Sequence, residues 1–324
     1  MDINLLSVIK LVIALTAIII LLIANSVIMV WLERKVAGYV QRRPGPYVVG
    51  PHGILQTVAD AIKLLAKQIT IPGSSDRILF LLAPCLSMFP MFLLFLVIPY
   101  GPWLTGLEVN LGLLLILAFT GLEGLAVLSG GWASNNKYGL LGAARAVSQS
   151  VAYEIPLILA MLAIAFQNGS LNLTTITANQ SGWVWHWNIF SQPLAFLIFV
   201  ITCFGETNRA PFDLPEGESE LTGGYHTEYS GMGFALFFMA EYTSMMLVSF
   251  LAAVLFLGGS NGPFINGIWW TFLKMGAFMT FMIWVRWTFP RVRFDQLLNI
   301  NWKWLLPLGL LNLWITAIVI KVLQ

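Results

Sequence analysis

The chain has few charged residues and almost no cysteine. Only 10% of its 324 residues are Asp, Glu, Lys or Arg, whereas 58% are hydrophobic. A soluble domain carries about 25% charged residues, so this composition excludes an ordinary soluble protein and is typical of an integral membrane protein. Cys85 and Cys203 lie far apart in apolar stretches and cannot form a zinc or iron–sulfur ligand set; we expect them to be buried small apolar residues. Neither a G-x-G-x-x-G motif nor a P-loop is present, which excludes nucleotide binding by those routes.

Eight apolar stretches are candidates for membrane-spanning segments. Residues 11–32 alone run for 22 residues without a charge, enough to cross a core of roughly 30 Å. This run is long for a signal sequence and has no clear cleavage site, so we expect it to be retained as the first helix. Because backbone polar groups in lipid must be satisfied within the segment, the chain is predicted to be an all-α polytopic membrane protein, one domain of residues 1–324. The spans are predicted near residues 8–31, 79–99, 111–130, 147–166, 191–206, 232–257, 268–288 and 303–322.

The basic residues indicate how these spans are oriented. Fourteen of the 17 lysines and arginines lie in the alternate loops that face one side, and the loops of the other side hold none. Basic residues resist translocation, so the charged side is predicted to be cytoplasmic or its organelle equivalent, with both termini outside. The remaining three are Lys10 and Lys321 in the tails and Lys274 inside a span.

The first inner segment, residues 32–78, contains a predicted amphipathic helix. The Gly-Pro pairs at 45–46 and 50–51 break regular structure. Apolar residues then recur at helical spacing, with Asp60, Lys63 and Lys67 elsewhere on the helical wheel. This pattern is typical of a short helix at the membrane surface or against a soluble partner. Asp60 and Lys63 are three residues apart and could form an ion pair.

A second inner segment, residues 205–231, concentrates carboxylates around one cation, Arg209. Repulsion among neighbouring carboxylates favours protonation of some of them, so the set could hold and release protons. A solvated acidic loop is the alternative, but the prolines and aromatic residues between the acids favour a packed cavity wall. The acids are Glu206, Asp213, Glu216, Glu218, Glu220 and Glu228.

Three further acids lie within or at the edge of predicted spans. An ionised group at mid-membrane costs about 2.5–3.5 kcal/mol on insertion scales, so each is predicted to be protonated or paired. A proton or ion path is the default interpretation of such carboxylates, and structural pairing is the alternative; Lys274 is the predicted counter-charge. His52 and His226 could donate protons near neutral pH, although a lone histidine is more often structural. The three acids are Glu123, Glu154 and Glu241.

Several sequence blocks resemble the H-subunit family of proton-pumping NADH:quinone oxidoreductase (respiratory complex I), called subunit 1 in mitochondria. They include Glu-Arg-Lys at 33–35, Ala-Asp-Ala-Ile-Lys at 59–63 and Gly-Trp-Ala-Ser-Asn-Asn-Lys-Tyr at 131–138. Others are Glu-Thr-Asn-Arg-Ala-Pro-Phe-Asp-Leu-Pro-Glu at 206–216, Ala-Glu-Tyr at 240–242 and Pro-Arg-Val-Arg-Phe-Asp-Gln at 290–296. The similarity covers essentially the whole chain. It implies eight helices at the heel of the membrane arm, where that arm meets the peripheral redox arm.

The resemblance also implies two groups of site residues and no metal site. Residues lining or approaching a quinone tunnel would be Arg34, Asp60, Glu206, Arg209 and Asp213. Residues coupling quinone reduction to proton movement would be Glu154, Glu216, Glu218, Glu220, Glu228 and Glu241. Glu123 departs from the family pattern by about two residues, and His52 and His226 receive no role from it. The substrate would be ubiquinone or menaquinone, with flavin and iron–sulfur clusters on partner subunits.

The implied partners are the lipid bilayer, the quinone-site and iron–sulfur subunits of the peripheral arm, small membrane subunits and antiporter-like subunits, with no nucleic acid. The isolated chain would be inactive, and its location would be the bacterial inner membrane or, alternatively, the mitochondrial inner membrane. One alternative is the related subunit of a membrane-bound hydrogenase or formate hydrogenlyase. Another is an autonomous proton-coupled carrier, although the internal repeat common in carriers is absent from the sequence. A purely structural anchor would leave the acidic segment without a role.

Overall fold

The protein is almost entirely helical, as the composition predicts. A computed structural model describes residues 5–101, 104–214, 223–263 and 266–323. Its only sheet within these ranges is a short antiparallel hairpin of Pro99–Gly101 (β1) and Leu104–Thr105 (β2). The helices are α1 (Leu5–Val40), α2 (Leu55–Ala66), α3 (Arg77–Val97), α4 (Gly112–Ala133), α5 (Lys137–Asn168), α6 (Leu173–Asn179), α7 (Asn188–Ser191), α8 (Pro193–Glu206), α9 (Gly231–Leu255), α10 (Ile268–Thr288), α11 (Phe294–Ile300) and α12 (Leu306–Leu323). Single turns lie at Pro51–Gly53, Val184–His186 and Gly224–His226, and a π-helical turn at Asn301–Leu305 joins α11 to α12.

Seven helices of the described chain are long and apolar enough to cross a membrane. They are α1, α3, α4, α5, α9, α10 and the continuous helix formed by α11 and α12. The remaining predicted span, residues 191–206, corresponds to α8, which has 14 residues. At 1.5 Å per residue this helix is about 21 Å long, shorter than a hydrocarbon core of roughly 30 Å. The predicted all-α polytopic class is confirmed, with α8 as its shortest apolar helix.

Two hydrogen bonds near the helix ends define the two ends of the bundle. At the first end, the N–H of Val292, which follows α10, donates to the carbonyl of Pro211, which follows α8 (3.0 Å). At the opposite end, Gln192 before α8 donates to the hydroxyl of Thr316 in α12 (2.9 Å). The loops rich in basic residues gather at the first end, called the charged end below. The N-terminal part of α1 and the C-terminal part of α12 both extend to the other end.

Two helices organise the packing around the charged end. Helix α9 is the most enclosed apolar helix and packs against α1, α3 and α10. Helix α5 packs against α4, α8 and α12, and also against the turn Gly224–His226. A Cβ atom on Gly142 of α5 would lie 2.7 Å from the Cα of Gly224, so the absence of a side chain lets this turn approach the helix. The turn is thereby held beside α9.

The predicted amphipathic helix is present as α2. It packs against α1 and α9 at the charged end. Its apolar residues Leu55, Val58, Ile62 and Leu65 are between 39% and 65% exposed. This exposed apolar face fits the expectation of a helix lying at the membrane surface or against a partner.

Two predictions about isolated residues are corrected by the structure. Lys274 pairs with none of the described acids: its Nζ donates to the backbone carbonyls of the loop after α9, at Leu257 (2.5 Å), Gly259 (2.9 Å) and Asn261 (2.6 Å). Lys274 therefore satisfies the carbonyls at the uncharged end of the bundle, and its charge lies away from the acids. Cys203 is buried as expected, but Cys85 is exposed on the outside of the bundle.

Candidate functional site

Glu33, near the end of α1, lies at the centre of a buried ionic cluster at the charged end. Its Oε2 accepts hydrogen bonds from the Tyr242 hydroxyl (2.6 Å) and from Nη1 of Arg209 (3.3 Å). Its Oε1 pairs with the guanidinium of Arg286. Only 7% of Glu33 is exposed. Glu33 was not among the predicted site residues, because it precedes Arg34 and Lys35, and this basic pattern is typical of the end of a membrane-spanning helix. The sequence feature that could have identified Glu33 is its position directly after the uncharged apolar run of residues 11–32.

Arg209 connects Glu33 to Glu241 of α9. Nη2 of Arg209 lies 3.8 Å from Oε2 of Glu241, and its guanidinium carbon lies 4.3 Å from the centroid of the Tyr242 ring. Arg209 is 5% exposed and Glu241 7%. Buried charges are tolerated when they are paired, and the aromatic face adds a cation–π contact. Among the described residues, two carboxylates and two guanidinium groups form the cluster, and the charges of these four groups balance when all are ionised.

The other oxygen of Glu241 faces the turn Gly224–His226. The Tyr225 hydroxyl donates a hydrogen bond to Oε1 of Glu241 (3.1 Å), and Nε2 of His226 lies 3.4 Å from the same oxygen. Both Tyr225 and His226 are buried. His226, for which the sequence supported no role, is therefore part of the site. Its place was not predictable, because the turn meets α9 only through tertiary packing.

A second set of carboxylates extends from the cluster towards α4 and α5. Glu206, the last residue of α8, is 7% exposed, and its Oε2 has no hydrogen-bond partner among the described residues. It interacts electrostatically with Glu154 of α5, and Glu123 of α4 interacts with both Glu206 and Glu241. The structure thus brings together the predicted site acids Glu154, Glu206 and Glu241. Glu123, whose position departs from the family pattern, lies among them.

A glutamine of α5 holds the described part of the acidic segment in place. Gln149 is fully buried, and its Nε2 lies within hydrogen-bond distance of the carbonyls of Gly205 (2.9 Å) and Phe212 (2.8 Å) and of Oδ1 of Asn208 (3.1 Å). Phe212 and Leu214 are also buried. The described residues of this segment form a packed wall, as the interleaved apolar residues predict. Glu216, Glu218 and Glu220 lie outside the described residues.

Other predicted site residues lie apart from the cluster. Asp213 pairs with Arg291 (3.2 Å) beyond α10, and Glu228 accepts a hydrogen bond from Asn136 (2.6 Å) before α5. His52 is exposed, and its backbone carbonyl accepts a hydrogen bond from the indole of a neighbouring tryptophan. These contacts tie the loops of the charged end to one another.

Asp60 of α2 pairs with Arg34 of α1. Nη1 of Arg34 lies 2.6 Å from Oδ2 of Asp60, and Gln56 donates to the other oxygen (3.1 Å). Burial alone would raise the pKa of Asp60, but hydrogen bonds from Arg34 and Gln56 and the charges of Arg34 and Lys63 hold it below its ordinary value. The direct partner of Asp60 is therefore on another helix, and Lys63, the expected partner, acts only through its charge. The Asp60 carboxylate is ionised at neutral pH.

A cavity of about 360 Å³ lies beside the ionic cluster, between α1, α9, α10 and the Gly/Pro segment. Its wall combines apolar groups with three arginines and Glu33. Such a mixed lining suits a molecule that has an apolar body and a few polar oxygen atoms. The lining residues are Val30, Glu33, Arg34, Ala37, Arg43, Pro44, Gly45, Pro46, Phe238, Tyr242, Arg286 and Trp287. Of the predicted tunnel residues, Arg34 lines this cavity and Arg209 lies behind Glu33.

These features define a polytopic helical membrane protein with a charge-balanced cluster of acids and arginines beside a cavity at one end. A family model described as NADH dehydrogenase matches residues 12–317. The H subunit of the NADH-quinone oxidoreductase of Desulfotalea psychrophila is 48% identical over 309 residues, covering 92% of this chain and 93% of the relative. The H subunits of the same enzyme from Carboxydothermus hydrogenoformans (48% identity; 91% of this chain, 85% of the relative) and Bacillus cytotoxicus (49%; 89% and 87%) are similar along nearly the same length. The chain belongs to the NADH dehydrogenase family.

Proposed function

We propose that this chain is the membrane-arm heel subunit of a proton-translocating NADH:quinone oxidoreductase. Its family, and relatives named as the H subunit of NADH-quinone oxidoreductase, support this function over a role in a hydrogenase or formate hydrogenlyase and over an autonomous carrier. The observation that carries the role is the cavity next to the Glu33–Arg209–Glu241 cluster, because it places a ligand space against buried titratable groups.

The cavity receives a quinone that passes between the bilayer and a redox centre on a partner subunit. Val30 and Phe238 supply apolar wall for the ring and the start of the isoprenoid tail. Arg34 and Arg286 face the same space and provide donors for the quinone oxygens. The electrons come from flavin and iron–sulfur clusters carried by peripheral-arm subunits, so the isolated chain is inactive. Asp60 positions Arg34 by holding its guanidinium from α2.

Reduction of the quinone places negative charge near Arg286 and Arg34. Arg286 both lines the cavity and pairs with Glu33, and Arg209 pairs with both Glu33 and Glu241. A new negative charge in the cavity competes with Glu33 for Arg286, and this changes how Arg209 divides its attraction between Glu33 and Glu241. Two unit charges about 4 Å apart interact by about 4 kcal/mol at an effective dielectric constant of 20. Such a change is enough to alter the proton occupancy of a buried carboxylate by orders of magnitude.

The change at Glu241 then reaches Glu123, Glu206 and Glu154, which lie within electrostatic range of one another. These carboxylates transmit the change of protonation along the membrane arm towards antiporter-like subunits. Small membrane subunits lie along the same arm. The assignment of Glu216, Glu218, Glu220 and Glu228 to an acidic funnel rests on the family resemblance, as does that of Asp213 to the tunnel. The charged end faces the cytoplasm of a bacterial inner membrane, or its mitochondrial equivalent, and both termini face outwards.

The test uses Glu206→Gln and Glu241→Gln in the intact complex within native membrane vesicles. Each change should lower quinone reduction or proton pumping roughly tenfold or more, the range in which positioned proton carriers act. NADH oxidation by an artificial acceptor should be unchanged, since it bypasses this subunit. Glu108→Gln is the matched control, because Glu108 is exposed at the uncharged end. Normal coupled activity in both variants would refute the assignment of these residues.

Co-purification tests the assembly separately. Mass spectrometry of the gently solubilised complex should detect flavin- and cluster-bearing NADH dehydrogenase subunits together with antiporter-like subunits. Nickel–iron hydrogenase subunits without a flavin module would instead identify the hydrogenase alternative. A chain that purifies alone and transports protons in liposomes would identify a carrier.

A further inference from the structure

We propose that His226 exchanges a proton with Glu241 and thereby sets when this carboxylate releases Arg209. The inference rests on the proposed function, because it assigns an additional positioning residue to the same network of acids. It goes beyond the carboxylates and arginines already described by giving the network a group that changes its charge near neutral pH.

The first argument is the geometry around the two oxygens of Glu241. Oε2 faces Nη2 of Arg209 at 3.8 Å, whereas Oε1 faces the Tyr225 hydroxyl at 3.1 Å and Nε2 of His226 at 3.4 Å. A guanidinium stays charged at every physiological pH, and a phenol titrates near about 10. An imidazole titrates near about 6.5. Among these three contacts, His226 therefore has the side chain whose chemistry suits proton exchange near neutral pH.

The second argument is the enclosure of the imidazole. His226 is 7% exposed, and its ring centroid lies 3.7 Å from that of Tyr225, 5.6 Å from Phe234 and 5.5 Å from Phe237. Aromatic walls hydrate a cation poorly, so an ionised Glu241, at 3.4 Å, stabilises an imidazolium here. The charge states of the two residues are thus linked more tightly than they would be at the surface.

The charged and titratable groups around this pair come from each neighbouring element. The turn contributes Tyr225, and α9 contributes Glu241 itself. Arg209 follows α8, and Glu123 of α4 lies within electrostatic range of Glu241. Glu228, which accepts a hydrogen bond from Asn136, and Arg145 of α5 lie on the neighbouring segments. Glu241 therefore lies between Arg209 and the imidazole, and the charge of the imidazole changes the balance between them.

The exchange moves one proton and no electrons. The proton leaves Nε2 of the imidazolium and binds Oε1 of Glu241, which leaves a neutral imidazole protonated at Nδ1 and a neutral carboxyl group. Arg209 then keeps Glu33 as an ionised partner at 3.3 Å and loses its attraction to Glu241. The reverse step restores both charges, and water on the charged side of the membrane supplies the next proton to the imidazole.

The test compares His226→Gln with the native complex in inverted membrane vesicles across about pH 5.5–8.5, the interval in which histidine titrates. Glutamine retains an N–H donor for Glu241 but cannot titrate there. We expect proton pumping to fall by roughly a factor of ten to a hundred. The change of pumping rate with pH that the native complex shows within this interval should also disappear. NADH oxidation by an artificial acceptor reports the amount of assembled complex. His186→Gln is the matched control, because His186 is exposed at the uncharged end.

Two outcomes would overturn the inference. A His226→Gln complex with the native pH profile would show that a fixed hydrogen bond is sufficient, whether or not the overall rate falls. Loss of this pH dependence in His186→Gln would place the titrating group elsewhere. If Glu206→Gln and Glu241→Gln are both fully coupled, the proposed function of the acids fails as well. If Glu241→Gln is impaired while His226→Gln keeps the native profile, only the role of His226 is lost.

Discussion

Replacing Glu33 by leucine (Glu33→Leu) tests whether the ionic cluster holds the charged end together. The substitution removes the shared partner of Arg209 and Arg286 and the acceptor of the Tyr242 hydroxyl. The side chains of Glu33 and Arg209 are only 9% and 6% exposed, so the guanidinium that loses this carboxylate is poorly hydrated, and Glu241 lies farther from it at 3.8 Å. Breaking a buried ion pair costs about 3–5 kcal/mol. The side chain of Arg286 is 24% exposed, so water partly screens the loss of its ion pair with Glu33. The total cost of Glu33→Leu therefore stays within this range of about 3–5 kcal/mol.

The assay is the thermal unfolding midpoint of the solubilised complex. Midpoints are compared at one scan rate, because membrane complexes unfold irreversibly. We expect a clear decrease for Glu33→Leu and a partial recovery when Arg286→Met is added, because the double variant restores charge balance. The coupling between the two changes should be about 0.5–3 kcal/mol.

The control for this prediction is Asp60→Asn. The side chains of Asp60 and Arg34 are 30% and 46% exposed, so the loss of their pair should cost less than about 1 kcal/mol. Strictly additive losses in the double variant, or equal losses in Glu33→Leu and Asp60→Asn, would refute the idea that burial of the cluster determines its energy.

Three further predictions concern contacts outside the cluster. Gln149→Leu leaves buried carbonyls without their donor, each costing about 1–3 kcal/mol, and should lower the amount of assembled complex on native gels. Lys274→Met should lower the thermal midpoint and leave the quinone reduction rate per assembled complex unchanged, because Lys274 caps loop carbonyls at the uncharged end. The lowered pKa of Asp60 means that its pair with Arg34 stabilises the fold above the unfolded carboxyl pKa of about 3.9 and is lost as the pH falls through the folded pKa. The difference in thermal midpoint between the native protein and Asp60→Asn should therefore be constant above about pH 5 and vanish in stronger acid.

The spans, the grouping of the basic loops at one end and the amphipathic helix were predictable from the sequence. Each depends on a local property: the length of an apolar run, the charge of a loop, or apolar residues three and four apart on α2. The packed wall around Phe212 and Leu214 was predictable for a similar reason, since apolar residues between acids resist full solvation. The bounds of α8 were predictable to within two residues, because the apolar run predicted at residues 191–206 contains Pro193–Glu206.

The partners of the buried charges were not predictable. Glu33 and Arg209 are 176 residues apart and meet because α1 and the end of α8 converge on α9. Lys274 and Glu241 both lie in apolar helices, but the helices are antiparallel. Helix α9, which carries Glu241, begins at the charged end, whereas α10, which carries Lys274, begins at the uncharged end. Lys274 is six residues into α10, about 9 Å from the uncharged end, so its side chain reaches the nearby loop carbonyls. The spacing of residues along one helix does not show which charged residues of other helices they will contact.

Under the proposed function, the balance of charge in the cluster accounts for how quinone reduction in the cavity would affect Glu241, a carboxylate that does not line the cavity. The four described groups, two carboxylates and two guanidinium groups, are stable together, but protonation of Glu241 alone leaves these four with an excess of one buried positive charge, at a cost of several kcal/mol. A negative charge on a quinone beside Arg286 removes that excess. Under the proposed function, proton uptake at Glu241 and quinone reduction should therefore stabilise one another, and by linkage each should promote the other to the same extent. The two events need no chain of proton carriers between them, because Arg209 and Glu33 transmit the change of charge through direct contacts.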